Sequence, residues 1–155
     1  MEIVFKVPGP PKGKARARTF YNPKLGRMQS ITPEGTVLYE NLIKTSYLQK
    51  AKELEHDGFF NKEPLYMEIL AIFSIPKSTS KKRCKLMEAG EELPCKKPDA
   101  DNIVKVICDA LNKVAYGDDT QICKLNISKR YAYSDKEGYV LVSLRTIGFP
   151  GNNTR

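Results

Sequence analysis

The apolar run LYMEILAIFSI, residues 65–75, constrains the fold of this chain more than any other stretch. It is rich in β-branched and aromatic side chains, and Pro76 ends it. A run of this kind predicts a strand long enough to lie in the centre of a sheet. Near the start of the chain, EIVFKV (residues 2–7) alternates apolar and polar side chains and predicts a further strand.

Two main helices are predicted, one before and one after this strand. Thr32-Pro33-Glu34 supplies a capping hydroxyl, a proline at the first helical position and an acid in the first turn, so a helix is expected from there to about Glu55. Its expected apolar face consists of Val37, Leu38, Leu42, Ile43, Leu48 and Leu54. Residues 100–114 predict the second helix, because their apolar side chains recur at helical spacing.

The remaining segments complete the predicted architecture. Residues 121–133 and 139–147 are expected to be strands, and the turn between them, Asp135 to Gly138, predicts that they pair as a hairpin. Residues 8–26 predict a long loop or a loose hairpin, and the basic stretch 77–98 predicts a flexible arm with a short helix at 81–89. Strands before, between and after two helices indicate a single α/β (α+β) domain, residues 1–148, with one mixed sheet. Residues 149–155 are expected to form a disordered tail.

The charge of the chain favours a polyanionic partner. The formal net charge is +8 and the pI is about 9.3, and a protein that neutralises phosphates gains affinity by releasing counterions. The segment between Lys6 and Arg27 contains basic residues and no acid, and a second basic run extends from Lys77 to Lys97. The alternative is that both runs are solvated faces without a partner.

Nothing in the sequence predicts export or membrane insertion. There is no signal peptide, and no apolar run approaches the roughly 20 residues that a membrane span needs. A cytoplasmic location is therefore expected. The cysteines lack C-x-x-C spacing and histidine partners, so reduced thiols are expected rather than a zinc site, with Cys108 in the core of a helix.

Acidic side chains are concentrated in residues 97–122, KPDADNIVKVICDALNKVAYGDDTQI. Helical spacing places a core stripe on Ile103, Ile107, Leu111 and Val114. Asp101, Lys105 and Asp109 recur at every fourth position, so they are expected to form one polar row on this helix. Asp99 precedes the first turn, and the pair 118–119 follows a glycine in the loop beyond the helix.

Acids before, within and beyond one helix can converge on a hard cation such as Mg²⁺, which prefers carboxylate oxygens, with water and phosphate completing its shell. Such a site activates water and neutralises charge on a scissile phosphate. Lys105 can add positive charge to the developing phosphorane. Each acid also has a structural alternative, since Asp99 or Asp101 can cap the helix and residues 118–119 can form a turn. The residues alone leave both interpretations open.

The order and spacing of these residues resemble the signature of the RusA family of Holliday junction resolvases. The matching elements are K-P-D-x-D-N from Lys97, the lysine at 105, D-A-L-N from Asp109 and D-D-x-Q-I from Asp118. The resemblance implies a homodimeric, magnesium-dependent nuclease, with Mn²⁺ as an alternative ion. It also implies symmetric nicking of opposed strands in four-way-junction DNA, often by a prophage-encoded protein.

The resemblance further implies roles for individual residues. Asp99, Asp101 and Asp119 correspond to the family's essential, metal-binding aspartates, and Lys105 corresponds to its essential lysine. Supporting roles fall to Asn102, Asp109 and Asp118. Phosphate contacts are expected from Lys12, Lys14, Arg16, Arg18, Arg27 and Lys97. Phe20 or Tyr21 is expected either to stack on bases at the crossover or to pack in the core. One departure is Pro98, because the best-known member has arginines directly before the first aspartate.

The predicted function is therefore a Mg²⁺-dependent, structure-selective DNA endonuclease. It would resolve Holliday junctions by paired nicks, in DNA recombination, repair or prophage DNA processing. Two alternatives remain open at this stage. One is a non-catalytic protein that binds branched DNA, and the other is a nuclease that acts on flaps or other branched DNA.

Overall fold

A computed structural model of the chain describes residues 1–148. The elements within this range are β1 (Glu2–Pro8), β2 (Arg18–Asn22), β3 (Arg27–Ile31), α1 (Glu34–Glu53), β4 (Leu65–Phe73), α2 (Lys81–Glu88), α3 (Ala100–Leu111), β5 (Ile122–Tyr131) and β6 (Tyr139–Thr146). The tail predicted for residues 149–155 lies outside the described residues. The predicted α/β domain with a mixed sheet is confirmed.

Strand β4 lies inside the main sheet, whose strand order is β1-β6-β4-β5. It pairs antiparallel with β6 on one side and parallel with β5 on the other, and β1 pairs antiparallel with β6. The central position predicted for this apolar run is confirmed. A strand whose side chains are buried along most of its length is stabilised by neighbours on both edges, and β4 has both.

The hairpin predicted between β5 and β6 is wrong. Both strands form, and Asp135 lies in the turn region with a positive φ of 65°. However, β4 lies between them, so they never pair with each other. The connection from Ala132 to Gly138 only has to cross one intervening strand, a distance of about 10 Å at the usual strand spacing. A turn signal identifies a chain reversal but not the strands that pair. The buried strand β4 takes a hydrogen-bonded neighbour on each of its two edges, and these neighbours are β5 and β6.

The core lies between the main sheet and helices α1 and α3. Alternate residues of the strands point into it, such as Ile3, Phe5 and Val7 on β1, all nearly inaccessible to solvent. The ring of Phe5 packs edge-on against Tyr47 of α1, with 5.3 Å between the ring centroids. Helix α3 contributes the predicted core stripe, of which Ile103, Ile107 and Leu111 are fully buried and Val114 is partly buried.

The apolar face predicted for α1 is largely wrong. Val37, Leu38, Leu48 and Leu54 are exposed, whereas Ile43 is buried and Leu42 is partly buried. The buried face consists of Thr36, Tyr39, Ile43, Tyr47 and Ala51. This helix has apolar groups on opposite sides, so periodicity alone does not select one of them. The side with two tyrosines faces the sheet because aromatic rings bury more area than leucine side chains do.

Two segments outside the main sheet hold many of the basic residues. Strands β2 and β3 pair with each other as a separate two-stranded hairpin. Of the two structures predicted for residues 8–26, a long loop or a loose hairpin, the hairpin is the one that forms. The short helix predicted at 81–89 is confirmed as α2, which is capped by Ser80 and buries Met87. Arg83 and Glu92 form an ion pair at 2.5 Å beside it.

The predictions about the cysteines and about membrane-spanning helices can also be compared with the structure. All four cysteines are unpaired, and Cys108 is buried in α3 as predicted. Burial, together with the nearby charges of Asp119 and Asp109, raises the pKa of the Cys108 thiol to about 11, although a hydrogen bond with Tyr116 opposes this. Within residues 1–148, none of the helices has the length and apolar character required to cross a membrane.

Candidate active site

Helix α3 carries the predicted acidic row because its opposite face is apolar. Ile103 and Ile107 anchor that face in the core, so positions 101, 105 and 109 lie along the flank of the helix. Asp101 and Lys105 are exposed, and Asp109 is half-buried. The predicted polar row is therefore present, with its first two members open to solvent.

Asp99 occupies the N-cap position of α3, where its backbone is extended, with φ −68° and ψ 150°. Its main-chain carbonyl accepts the first helical hydrogen bond, from the amide of Ile103 at 3.1 Å. Its carboxylate makes no capping hydrogen bond and is exposed. The alternative in which the Asp99 side chain serves as the helix cap is therefore not realised, and the carboxylate remains available to a ligand.

Asp119 begins a short 3₁₀ turn, Asp119–Gln121, that leads into β5. The side chain of Gln121 fixes this turn. Its carbonyl oxygen accepts from the amide of Gly117 at 3.0 Å, and its amide group donates to the carbonyl oxygen of Asn61 at 2.6 Å. Asp118 accepts a hydrogen bond from the hydroxyl of Thr120 at 3.1 Å. The predicted turn thus exists, while the Asp119 carboxylate stands next to a second acid.

The electrostatic surroundings of Asp119 disfavour its negative charge. Burial raises the pKa of Asp119, and the charges of Asp118 and Asp109 raise it further, while a hydrogen bond from Asn112 lowers it. The side-chain oxygen of Asn112 is itself buried and has no hydrogen-bond partner. A carboxylate crowded by other carboxylates, beside an unpartnered amide oxygen, is a donor set that suits a hard cation.

The predicted metal ligands do not form one compact group. Among residues 1–148, no three His, Cys, Asp or Glu side chains are arranged so that they can hold a metal ion. The structure brings Asp119 within electrostatic range of Asp109 and Asp118. It places Asp99 and Asp101 at the start of α3. The assignment of Asp99, Asp101 and Asp119 as ligands therefore stays a prediction.

The segment before β2 packs directly against the start of α3. The backbone amide of Lys14 donates to the carbonyl oxygen of Asn102 at 3.0 Å, and Gly13 lies so close that a Cβ there would be 2.9 Å from the Cβ of Asn102. Only glycine fits without displacement. The backbone of Asn102 thus joins the basic segment to the helix, and the supporting role of this residue stays a prediction.

The residues predicted to contact DNA differ in their surroundings. Five of them are exposed: Lys12, Arg16, Arg18, Arg27 and Lys97. Lys14 is half-buried and forms ion pairs with Glu40 at 2.5 Å and with Asp109 at 3.2 Å. Partial burial lowers the pKa of Lys14, but its hydrogen bonds and the charges of Glu40 and Asp109 outweigh burial and raise the pKa above its ordinary value.

Phe20 and Tyr21 lie on strand β2 with 40% and 58% of their surface exposed. The alternative in which they pack in the core is wrong. They flank the exposed basic residues of the β2–β3 hairpin, on opposite faces because successive strand residues alternate. Stacking on bases stays a prediction, and the structure leaves both rings accessible for it.

The sequence predicted no role for three residues that lie near the site. Gln121 and Asn112 lie inside the matched pattern, but spacing alone gives no indication of what their amide groups contact. Glu40 lies on α1, far from the pattern in sequence, and reaches Lys14 only through the fold. A sequence signal for Glu40 would require knowing which face of α1 turns toward α3.

Comparison with known proteins identifies the family of this chain. The family model described as "Endodeoxyribonuclease RusA" matches residues 8–143, which run from the end of β1 into β6 and include every residue of the candidate site. The chain is also similar to "Uncharacterized protein YqaN" of Bacillus subtilis (strain 168). The two are 31% identical over 147 residues, which cover 94% of this chain and 96% of the relative. With most of the chain matched in this way, the protein belongs to the RusA family of endodeoxyribonucleases.

Proposed function

We propose that this protein is a divalent-metal-dependent, structure-selective DNA endonuclease that resolves Holliday junctions by paired nicks. The observation that carries the proposal is the placement of Asp119, a half-buried carboxylate beside Asp118 and Asp109, whose pKa is raised by burial and by the charges of those two acids. In a chain with a net charge of +8, such a concentration of acids is costly without a bound cation. Family membership supplies the reaction class.

Asp99, Asp101 and Asp119 would hold Mg²⁺, or Mn²⁺ as an alternative. When bound, the ion supplies an activated water and neutralises charge on the scissile phosphate. The ammonium of Lys105 is exposed one turn into α3, where it can stabilise negative charge that develops on the phosphorane. Asp109 and Asp118 would shape the field around Asp119, and Asn102 would hold the start of the helix against the basic segment.

The exposed cations of the β2–β3 hairpin and its approach, together with Lys97, would hold the arms of the junction by their phosphates. Phe20 or Tyr21 would stack on bases that lose their partners at the crossover. The active assembly is proposed to be a homodimer, because two sites related by a two-fold axis match the symmetry of a four-way junction. Recombination, repair or prophage DNA processing in the cytoplasm would supply such junctions.

The test is cleavage of a synthetic four-way junction by Asp101→Asn in the presence of Mg²⁺. The matched control is Asp135→Asn, which makes the same change at an exposed loop position whose positive φ asparagine tolerates. We expect Asp101→Asn to bind the junction and lose cleavage by at least about 100-fold, as when a metal-site residue is removed, while the control cuts normally. Normal cleavage by Asp101→Asn would overturn the proposed site.

A substrate panel distinguishes the proposed activity from its alternatives. Four-way junctions, flaps, forks and plain duplex are offered to the wild-type protein at equal concentrations. Preferred cutting of junctions, with nicks in opposed strands, supports resolution. Preferred cutting of flaps would indicate a nuclease with another branched substrate, and binding without any cutting would indicate a non-catalytic module. A monomer by gel filtration with light scattering would contradict the paired nicks.

A further inference from the structure

Residues 12–15, here called the tether, lie across both main helices. Gly13 and the amide of Lys14 contact Asn102 in the first turn of α3. One residue further on, the amide of Ala15 donates to the hydroxyl of Thr36 on α1, at 3.3 Å. Successive residues of the tether thus bind α3 and then α1. The chain therefore enters the basic hairpin from a point that is anchored beside the start of α3.

The side chain of Lys14 makes the same connection a second time. Its ammonium contacts Glu40 of α1 at 2.5 Å and Asp109 of α3 at 3.2 Å. The exposed fractions are 20% for Lys14, 17% for Glu40 and 32% for Asp109, so this is not a solvated surface pair. Removal of the ammonium would leave two partly desolvated carboxylates facing each other, which is costly in such a setting.

These contacts make Lys14 poorly suited to hold a phosphate. One ammonium shared by two carboxylates leaves the cluster with a net negative charge, and an approaching phosphate would be repelled by it. Lys12 and Arg16, the basic residues on either side, are exposed, and neither forms an ion pair within the described residues. Phosphate binding by this part of the chain therefore falls to its neighbours.

The cluster also reaches the candidate active site. Asp109 belongs to the same helical row as Asp101 and Lys105, and its charge acts on Asp119. An ammonium bound to Asp109 offsets one of the acids around Asp119 and holds α3 in register with α1. Removal of the Lys14 ammonium would therefore leave the charge of Asp109 without its partner and would also break the link between α3 and α1.

We propose that Lys14 is a positioning residue of the nuclease, which couples the DNA-holding hairpin to helix α3 through Asp109 and Glu40. This inference rests on the proposed function. It assigns Lys14 to the cleavage step rather than to junction affinity, in contrast to the role that the sequence pattern implied for it.

The experiment compares Lys14→Met with Lys12→Met on a four-way junction, and Lys52→Met, at an exposed position of α1, is the inert control. Dissociation constants are measured over a range of salt concentrations, and cleavage rates are measured in single turnovers at saturating protein. We expect Lys14→Met to cut about 10-fold or more slowly, the scale of losing a supporting partner, with an unchanged salt slope. Lys12→Met should weaken binding and reduce the salt slope by about one.

Rescue separates positioning from a general loss of structure. Lys14→Arg keeps both ion pairs and should cut close to the wild-type rate. The double variant Lys14→Met/Asp109→Asn removes one of the two uncompensated acids, so its thermal midpoint and its cleavage rate should both exceed those of Lys14→Met alone. This rescue remains measurable even if Lys14→Met alone folds poorly.

Two results would overturn the inference while leaving the proposed function intact. One is a Lys14→Met protein that cuts at the wild-type rate when saturated, and the other is a reduced salt slope in that variant, which would make Lys14 a phosphate contact. If the wild-type protein cuts no branched substrate at all, the proposed function fails and the inference fails with it.

Discussion

The side-chain amide of Gln121 donates a hydrogen bond to the main-chain carbonyl oxygen of Asn61 at 2.6 Å, across the gap between the 3₁₀ turn and the loop before β4. The same side chain accepts from Gly117 at 3.0 Å. A single glutamine therefore holds the turn that carries Asp119 against the loop that leads into β4. The position of the acid depends on this link as much as on the backbone of the turn.

Gln121→Ala is expected to destabilise the protein by about 1–3 kcal/mol, because backbone groups at both ends of the glutamine lose their partner. Cleavage should fall as well, since the turn bearing Asp119 loses its anchor. Urea unfolding and junction cleavage measure the two effects. Gln49→Ala, at an exposed position of α1, is the matched control and should change the unfolding free energy by less than about 0.5 kcal/mol. Equal stability of the two variants would contradict the anchoring role.

Asp119→Asn is expected to raise the thermal midpoint at neutral pH without metal, even though it removes a predicted catalytic group. Burial and the charges of Asp118 and Asp109 raise the pKa of Asp119 in the folded protein. The folded state then binds more protons than the unfolded state, so stability falls as the pH rises from the unfolded pKa through the folded pKa. The advantage of the asparagine variant should vanish below the unfolded pKa.

Thermal midpoints of wild type and Asp119→Asn between about pH 3 and pH 8 test this relationship. Asp57→Asn, which alters another acid in a loop, serves as the control. Curves for wild type and Asp119→Asn that run parallel over the whole range would contradict the raised pKa. A lower midpoint for Asp119→Asn at neutral pH would show that the carboxylate is stabilising as an anion.

Saturating Mg²⁺ is expected to raise the thermal midpoint of the wild-type protein, because an ion that binds only the folded state stabilises it by about 2.7 kcal/mol at 100 times its dissociation constant. Differential scanning fluorimetry measures the shift, and NaCl at matched ionic strength controls for screening. Asp101→Asn and Asp119→Asn should both lose most of the shift. A full shift in both variants would show that the ion binds elsewhere. In a separate measurement, added EDTA should abolish junction cleavage by the wild-type protein.

The two sides of α1 should respond very differently to truncation. Ile43→Ala removes a fully buried side chain and is expected to cost about 2–5 kcal/mol, whereas Leu48→Ala, at a side chain that is 49% exposed, should cost less than about 1 kcal/mol. Chemical denaturation of the pair measures the difference. A larger cost at Leu48 would mean that its face is covered, for instance by the second subunit of the proposed dimer.

Much of the fold follows from local patterns in the sequence. Apolar runs and the proline, glycine and capping residues that end them located every strand of the main sheet and all three α-helices. This is possible because apolar side chains recur every second residue in a strand and every three to four residues in a helix. The pairing of β5 and the buried side of α1 did not follow. Both are decided by contacts between distant segments, namely the hydrogen bonding of β4 to a neighbour on each edge and the packing of Tyr39 and Tyr47 against the sheet.

The candidate site shows the same division. The ordered acids of residues 97–122 identified the helix and the turn that carry them, and the resemblance assigned their roles. No local pattern indicated that Lys14 would be bound by Glu40 and Asp109, since a lysine in a basic run gives the same signal whether it is solvated or paired. Phe20 is exposed because β2 and β3 form a sheet of their own outside the main sheet, and no local pattern indicated this either.

Among the elements of residues 1–148, β6 comes latest in chain order, yet it lies between β1, the earliest, and β4. While the protein is still on the ribosome, β1 has no partner in the sheet, and β4 can pair only on its β5 side. We expect the nascent chain to remain without its complete core until β6 emerges, because contacts of such long sequence separation form late. A prematurely terminated chain would carry every acid of the candidate site and still lack the scaffold that aligns them. The cell would thereby be protected from truncated but active forms of a DNA-cutting protein.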